Sequence, residues 1–323
     1  MDEIPAERPL TGVVVVNYGS HRLLQEMSAD LSGTESTVVV IVDNPSTVQE
    51  RSEVVRLVAE QGWHGVYPEV NGGFGAGINV GARTAAELGC DVLIFVNPDT
   101  RFAPETIPVL AAEVRRDPRK ICSPVIHRPD GSIWFAGLSV SLDTGDTVPS
   151  GSPRSLPWLS GAFMALSRNM FEALAGFDER YFMYWEDVDL SVRGSQLGGI
   201  LQLVTAVEVT HAVGGTQGGV KTDAYVYYNC RNRLLFASQN LPNRDLLRWI
   251  WTTPRASLLI AMRGFSQRSR PQQLRAVVAA LRGSLAGLGA AAPRFMNVPV
   301  NRWGRMSRAS RTPRRLQQSS HRP

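Results

Sequence analysis

The stretch TGVVVVNYG, residues 11–19, decides the fold. Its four valines do not alternate with polar residues, so a strand built from them has no face for water and belongs inside a covered sheet. Two more runs have the same character, STVVVIVDN (36–44) and DVLIFVNPD (91–99). Helical patterns fall between and beside them, SEVVRLVAEQG (52–62) and the Gly/Asn-opened INVGARTAAELG (78–89). Alternation at this spacing predicts an α/β chain of βαβ units, with a mostly parallel sheet and helices on both faces. Ligands in such sheets sit outside the carboxyl ends of the strands. The three runs end in Asn17, in Asp43 with Asn44, and in Asn97 with Asp99, which places three polar termini on one rim.

The chain is long enough, at 323 residues, to bury a sizeable core. MDEIPAERPL (1–10) is polar, without the apolar run of a secretory signal, and is expected to be flexible. Cys90, Cys122 and Cys230 are scattered and lack CxxC spacing, which points to core thiols of a cytoplasmic protein. The net charge of +5 hides an asymmetry. Residues 1–240 hold 18 Lys+Arg against 28 Asp+Glu, whereas the rest holds 16 Arg, no Lys and the single acid Asp245. Such a chain has two parts.

From about 125 to 157 the pattern breaks into Gly, Pro and Ser, as in a hairpin or loop excursion, and LPWLSGAFMALSRNMFEALAG (156–176) returns to strand and helix. Past Asn240, the segments 246–265 and 274–292 mix Leu and Trp with Arg. Pro254, Arg263 and Arg282 interrupt them, so the reading is an amphipathic, Arg-rich extension over 241–300 and not a membrane span; a helix packed on the body is the alternative. Residues 301–323 read as a disordered basic tail.

NGGFGAGINVG (71–81) invites a dinucleotide reading, but the glycine spacing fails: Gly73 and Gly75 would need a third glycine at Ile78, and Gly75 and Gly77 one at Val80. GGTQGGVKT (214–222) misses the phosphate-loop pattern because Val220 separates Gly219 from Lys221. Both loops still allow backbone to approach a ligand closely.

FMYWEDVDLSVRG (182–194) sets Glu186, Asp187 and Asp189 behind a wall of large side chains. Asp189 and Arg193 have the i, i+4 spacing of a helix salt bridge. Glu186 and Asp187 suit a helix amino terminus as caps, while a partly dry wall beside paired carboxylates raises proton affinity as a general base requires. Spacing leaves cap and base equally open. FVNPDT sets Asp99 on a rigid turn, a reasonable oxygen ligand for Mg2+ or Mn2+. His211 ends another apolar strand and gains meaning only where it meets Asp99.

In order, VVVVNYGS, VDNPS, NGGFGAGINVG, FVNPDT, WLSGAFMALSR, GFDERYFMYWEDVDLSVR, His211 and YYNCRNRLLF (227–236) make the chain resemble glycosyltransferase family 2, over roughly residues 12–236. The likeness is nearest to the rhamnosyltransferase-like bacterial enzymes of cell-surface polysaccharide synthesis. The resemblance implies the GT-A fold over 11–240 and an inverting, metal-dependent transfer of a sugar from a nucleotide-diphosphate donor. Donor binding would fall to Asn17, Tyr18, Asp43, Asn44, Asn71, Gly73, Phe74, Asn79, Asn97 and Asp99. Mg2+ or Mn2+ would be held by Asp99 with His211, since Asn97 stands where the family's metal motif has its first acid. Asp187 matches the catalytic base, with Glu186 beside it. Trp158, Ser160 and Gly161 would shape the donor-sugar and acceptor pocket, and Arg231 and Asn232 would face the diphosphate or the lipid-linked acceptor. The implied donor is dTDP-rhamnose, with UDP-hexose and galactofuranose as alternatives, and the acceptor is a glycan or a polyprenyl-diphosphate-linked sugar. The basic region is then expected to meet an anionic membrane surface on the inner face of the plasma membrane, with no nucleic acid. A rival reading is a non-catalytic nucleotide-sugar-binding protein.

Overall fold

A computed structural model describes residues 9–31, 36–212 and 221–294. The N-terminal residues up to 8, most of the 214–222 loop and the 301–323 tail therefore lie outside the described residues.

The chain opens as strand β1 (Leu10–Asn17), helix α1 (His21–Leu31), β2 (Thr37–Asp43), α2 (Val48–Gln61), β3 (His64–Val66), α3 (Phe74–Glu87) and β4 (Cys90–Val96). β3, β2, β1 and β4 are parallel neighbours in that order. Val13 to Val16 are buried on both sides of β1, as a run without alternation requires. α2 begins one turn earlier than the apolar periodicity suggests, because Thr47 caps it by accepting from the Glu50 N–H.

Next come β5 (Thr100–Phe102), α4 (Thr106–Arg116), β6 (Lys120–His127), β7 (Ile133–Phe135), β8 (Leu138–Ser141), β9 (Thr147–Pro149), β10 (Ser155–Trp158), β11 (Phe163–Ser167), α5 (Arg168–Ala173), α6 (Glu186–Gln196) and β12 (Ile200–His211). β11 lies antiparallel between β4 and β6, and β12 runs parallel to β6 with β5 on its other edge. The Gly/Pro-rich excursion is a small antiparallel sheet, β10-β8-β9. Three helices close the described chain: α7 (Asp223–Asn240), α8 (Asn243–Met262) and α9 (Arg270–Ala291).

The glycines of 71–81 serve packing. A Cβ on Gly77 would meet Val16 at 2.9 Å, and one on Gly81 would meet Val14 at 2.4 Å, so they let α3 lie directly on β1. Gly73 is the member that needs glycine's backbone freedom, with φ 89° and its Cα against the Phe182 carbonyl.

The C-terminal helices divide the two sequence readings between their faces. Ala276, Ala280, Gly283 and Gly287 of α9 are buried, and a Cβ at Gly283 would fall 2.3 Å from the Tyr227 carbonyl oxygen, so α9 packs at backbone distance on α7. By length and composition, Arg270–Arg294 is apolar enough to cross a membrane, which Arg282 alone does not prevent.

Candidate active site

The register of the parallel strands builds the rim. Asn17 pairs with Asp43 at the ends of β1 and β2, and β4 ends one step away at Val96. Asn17 Nδ2 donates to Asp43 Oδ1 at 2.7 Å, the Asn44 N–H donates to the Asn17 carbonyl at 2.9 Å, and Asn44 Nδ2 reaches the Gly73 carbonyl at 3.3 Å. Arg51 pairs with the other Asp43 oxygen and donates to the Asp43 carbonyl, while its guanidinium lies 5.2 Å from the Tyr67 ring centroid. Neither Arg51 nor Tyr67 is signalled by the sequence, because nothing in their spacing ties them to Asp43. Tyr18 is exposed beside this cluster. Asn71 Oδ1 accepts the Gly73 N–H at 2.9 Å and so shapes the loop that carries Phe74.

Asn79 plays a different part from the one the resemblance implies. It is buried, its Nδ2 donates to the Phe177 carbonyl and Glu179, and its Oδ1 accepts the Phe177 N–H at 2.8 Å. With both polar atoms engaged, it ties α3 to the turn that precedes the acids.

Across the sheet, β12 pairs with β5 so that His211 lies opposite Thr100. This brings His211 Nε2 to 2.9 Å from Asp99 Oδ1, which meets the condition under which His211 acquires meaning. Trp134 stands edge-on over the imidazole, 4.6 Å between centroids. Asn97 acts through its backbone, donating to the Ala162 carbonyl and accepting from Thr100, and so fixes the Asn-Pro-Asp turn. Among the described residues no group of three His, Cys, Asp or Glu side chains gathers as a metal cage. One carboxylate and one imidazole suit a cation that takes its other ligands from phosphate oxygens and water.

The acid turn carries two consecutive residues in a strained backbone conformation. Tyr184 and Trp185 both have left-handed backbones, φ 66° and 77°, immediately before α6. Single non-glycine residues adopt that region at a cost of about 1–2 kcal/mol. The turn is held from two sides. Asn232 Nδ2, fully buried on α7, donates to the Met183 and Tyr184 carbonyls, both at 2.9 Å, and the Phe74 N–H donates to the Phe182 carbonyl at 3.1 Å. Asn232 Oδ1 accepts from Arg231, which also donates to the Arg180 carbonyl. Both residues thus brace the turn, where the resemblance sets them facing the diphosphate or the lipid-linked acceptor.

The turn delivers two unlike carboxylates. Asp187 is half-buried; its Oδ2 accepts the Gly161 N–H at 3.1 Å and its Oδ1 the Val188 N–H at 2.8 Å. Burial raises its pKa despite these hydrogen bonds. Glu186 is buried, and burial followed by repulsion from Asp187 pushes its pKa well up. Asp189 is the structural member, paired with Arg193 at 2.7 Å and accepting from Asn240. Trp158 packs on Phe135, Ser160 is buried and Gly161 touches Phe74 and Asp187, so the 158–161 segment forms one wall beside the acid.

Nine buried side-chain polar atoms lack a hydrogen-bond partner among the described residues, and four are site atoms: Asn17 Oδ1, Trp158 Nε1, Glu186 Oε2 and His211 Nδ1. A buried orphan costs about 1–3 kcal/mol, so their concentration here marks a surface built to take a polar ligand.

Comparison with known proteins agrees. Residues 13–175 match the family model described as "Glycosyl transferase family 2". The N-acetylglucosaminyl-diphospho-decaprenol L-rhamnosyltransferase of Mycobacterium tuberculosis is 30% identical over 82% of this chain and 97% of its own. A dTDP-rhamnosyl transferase of Shigella flexneri is 22% identical over 70% of this chain and 79% of its own. Among solved structures, a mannosyltransferase of Pyrobaculum calidifontis, in complex with GDP-Man and Mn2+, superposes with TM-score 0.54 at 18% identity, covering 90% of this chain and 88% of that one. GalNAc-T7 with UDP, GalNAc and Mn2+ gives 0.56 at 17% identity, covering 71% and 48%. The match to the family model and the extent of likeness to the mycobacterial enzyme leave one assignment: the chain belongs to glycosyltransferase family 2.

Proposed function

We propose that this glycosyltransferase inverts the anomeric centre as it moves L-rhamnose from dTDP-rhamnose to a polyprenyl-diphosphate-linked sugar in the synthesis of cell-envelope polysaccharide. The observation that carries the chemistry is Asp187, a half-buried carboxylate aimed by two backbone N–H groups beside a more deeply buried Glu186. Donor and acceptor class are supported by the mycobacterial relative, whose name specifies rhamnosyl transfer to a decaprenyl-diphosphate-linked N-acetylglucosamine, and by the dTDP-rhamnosyl transferase of Shigella.

Asn17, Asp43 and Asn44 receive the base and ribose at the ends of β1 and β2, with Arg51 paired to Asp43. Asp99 and His211 would hold Mg2+ or Mn2+ at the strand edge, where the ion would supply positive charge to the leaving diphosphate. Asp187 accepts the proton of the acceptor hydroxyl as that oxygen bonds to the anomeric carbon, and the bond to the diphosphate breaks on the opposite face with its electron pair leaving on phosphate. Burial keeps Asp187 basic, and deeper burial beside that carboxylate favours the proton of Glu186. The 158–161 wall excludes water beside the attacking oxygen.

The test is turnover of a panel of dTDP-, UDP- and GDP-sugars on a synthetic polyprenyl-diphosphate acceptor, with product anomeric configuration read by NMR. Inverted product from dTDP-rhamnose with Mg2+ or Mn2+ supports the proposal. Preference for a UDP-sugar overturns the donor, and retained configuration overturns the role given to Asp187.

A further inference from the structure

Eighteen large apolar side chains are exposed among the described residues, and ten of them lie on α8 and α9. On α9, Leu274, Val278, Leu281 and Leu285 are between 45% and 68% exposed at helical spacing, opposite the face that packs on α7. On α8, Leu247, Trp251, Leu258 and Met262 form a second stripe, with Trp251 at 87% exposure. Scattered exposed apolar residues need no explanation, but stripes on two consecutive helices do.

Charge selects the occupant. Arg255 interrupts the α8 stripe between Trp251 and Leu258, Arg282 adjoins Leu281, and Arg270 opens α9. All three are exposed and, among the described residues, have no carboxylate partner. The only acid on the two helices, Asp245, is buried. Residues 295–323 add seven more Arg and no acid. A second copy on this face would bring Arg against Arg, because a two-fold contact matches a patch with itself. Exposed Trp and Leu interleaved with unpaired Arg fit the interfacial layer of an anionic bilayer instead.

We propose that the outer faces of α8 and α9 dock onto an anionic lipid surface, with both helices lying in the interface. α9 has the length and composition to span, yet its inner face is engaged along α7: a Cβ at Gly287 would fall 2.8 Å from the Arg231 carbonyl oxygen. A helix fastened at backbone distance to the body presents one side only. α7 also carries Asn232, so the docking helices are joined through one rigid element to the acid turn. The inference stands on this surface alone and is independent of the sugar donor.

The experiment is flotation of the full chain with phosphatidylcholine vesicles, with and without phosphatidylglycerol. The protein rises with the anionic vesicles and dissociates with salt. Leu281→Glu with Leu285→Glu abolishes flotation at an unchanged melting temperature, and Arg255→Ala, Arg270→Ala and Arg282→Ala together weaken binding roughly 10²-fold, about fivefold for each basic residue near the surface. Four results overturn the proposal: wild type that does not float; a double-Glu variant that floats like wild type, which assigns binding to the Arg-rich residues beyond 294; a dimer in sedimentation that the double-Glu variant dissociates, which makes the face a contact between copies; and retention on vesicles through alkaline carbonate, which makes α9 a spanning helix.

Discussion

Asn232→Leu removes the brace of the acid turn while keeping side-chain size. Two consequences follow from the geometry. The Met183 and Tyr184 carbonyls lose their shared donor, and the left-handed Tyr184 and Trp185 lose what holds them. If the turn stays, two buried acceptors go unsatisfied at about 1–2 kcal/mol each, the lower part of the usual range since carbonyls tolerate it better than N–H groups. If it relaxes, the left-handed residues recover about 2–4 kcal/mol of strain and α6 shifts its start. Holding the turn lowers stability by about 2–4 kcal/mol, or roughly 3–6 °C in melting temperature for a chain of this size, and relaxation offsets part of that loss by displacing Asp187. Kinetics separates this brace from a merely stabilising residue. Displacing Asp187 by ~1 Å reduces kcat by about 10²-fold, whereas the donor contacts at the ends of β1 and β2 are untouched and the donor KM holds. Asn240→Ala, which removes a hydrogen bond to Asp189 one turn further along α6, lowers stability without that loss of kcat. An Asn232→Leu enzyme that is less stable but turns over normally would refute the reasoning.

Three further outcomes follow from the same geometry. Gly73→Ala places a Cβ 1.9 Å from the Phe182 carbonyl oxygen at a φ of 89°, so it destabilises by at least ~3 kcal/mol, measurable by urea unfolding. Glu186 has a raised pKa in the fold, so the folded state binds the extra proton and stability falls as pH rises from the ordinary glutamate range through that raised value. Glu186→Gln therefore raises the melting temperature at neutral pH and has no effect below about pH 4, which thermal unfolding across the pH range measures. Asp99→Ala and His211→Ala each abolish the metal-dependent part of the thermal shift given by dTDP and leave the metal-independent part, which a titration with and without Mn2+ resolves.

The parallel half of the sheet was legible because a four-valine run has one stable place, and its polar termini marked the rim before any ligand chemistry was invoked. The pairing of Asp99 with His211 was legible only as a condition, since 112 residues separate them and strand order decides the contact. Arg51, Tyr67 and Trp134 were not legible: each acts through a neighbour that no local spacing reveals. Asn79, Arg231 and Asn232 lie within motifs of the resemblance, yet a motif does not say which way a side chain faces. All three hold backbone rather than open cleft. The glycine loop misled in the same manner, since the close approach it permits is of α3 to β1. The C-terminal helices defeated a one-sided reading because one face packs and the other is exposed.

The central claim is that Asp187 is the proton acceptor in glycosyl transfer, and Asp187→Asn tests it most directly. The substitution keeps the shape and leaves the Gly161 N–H an amide oxygen to reach. Donor binding by calorimetry and turnover should be measured on the same preparation. The account predicts unchanged donor affinity with kcat reduced by about 10²–10⁴-fold, the usual contribution of a general base. Turnover near wild type would assign the proton to another group and contradict it.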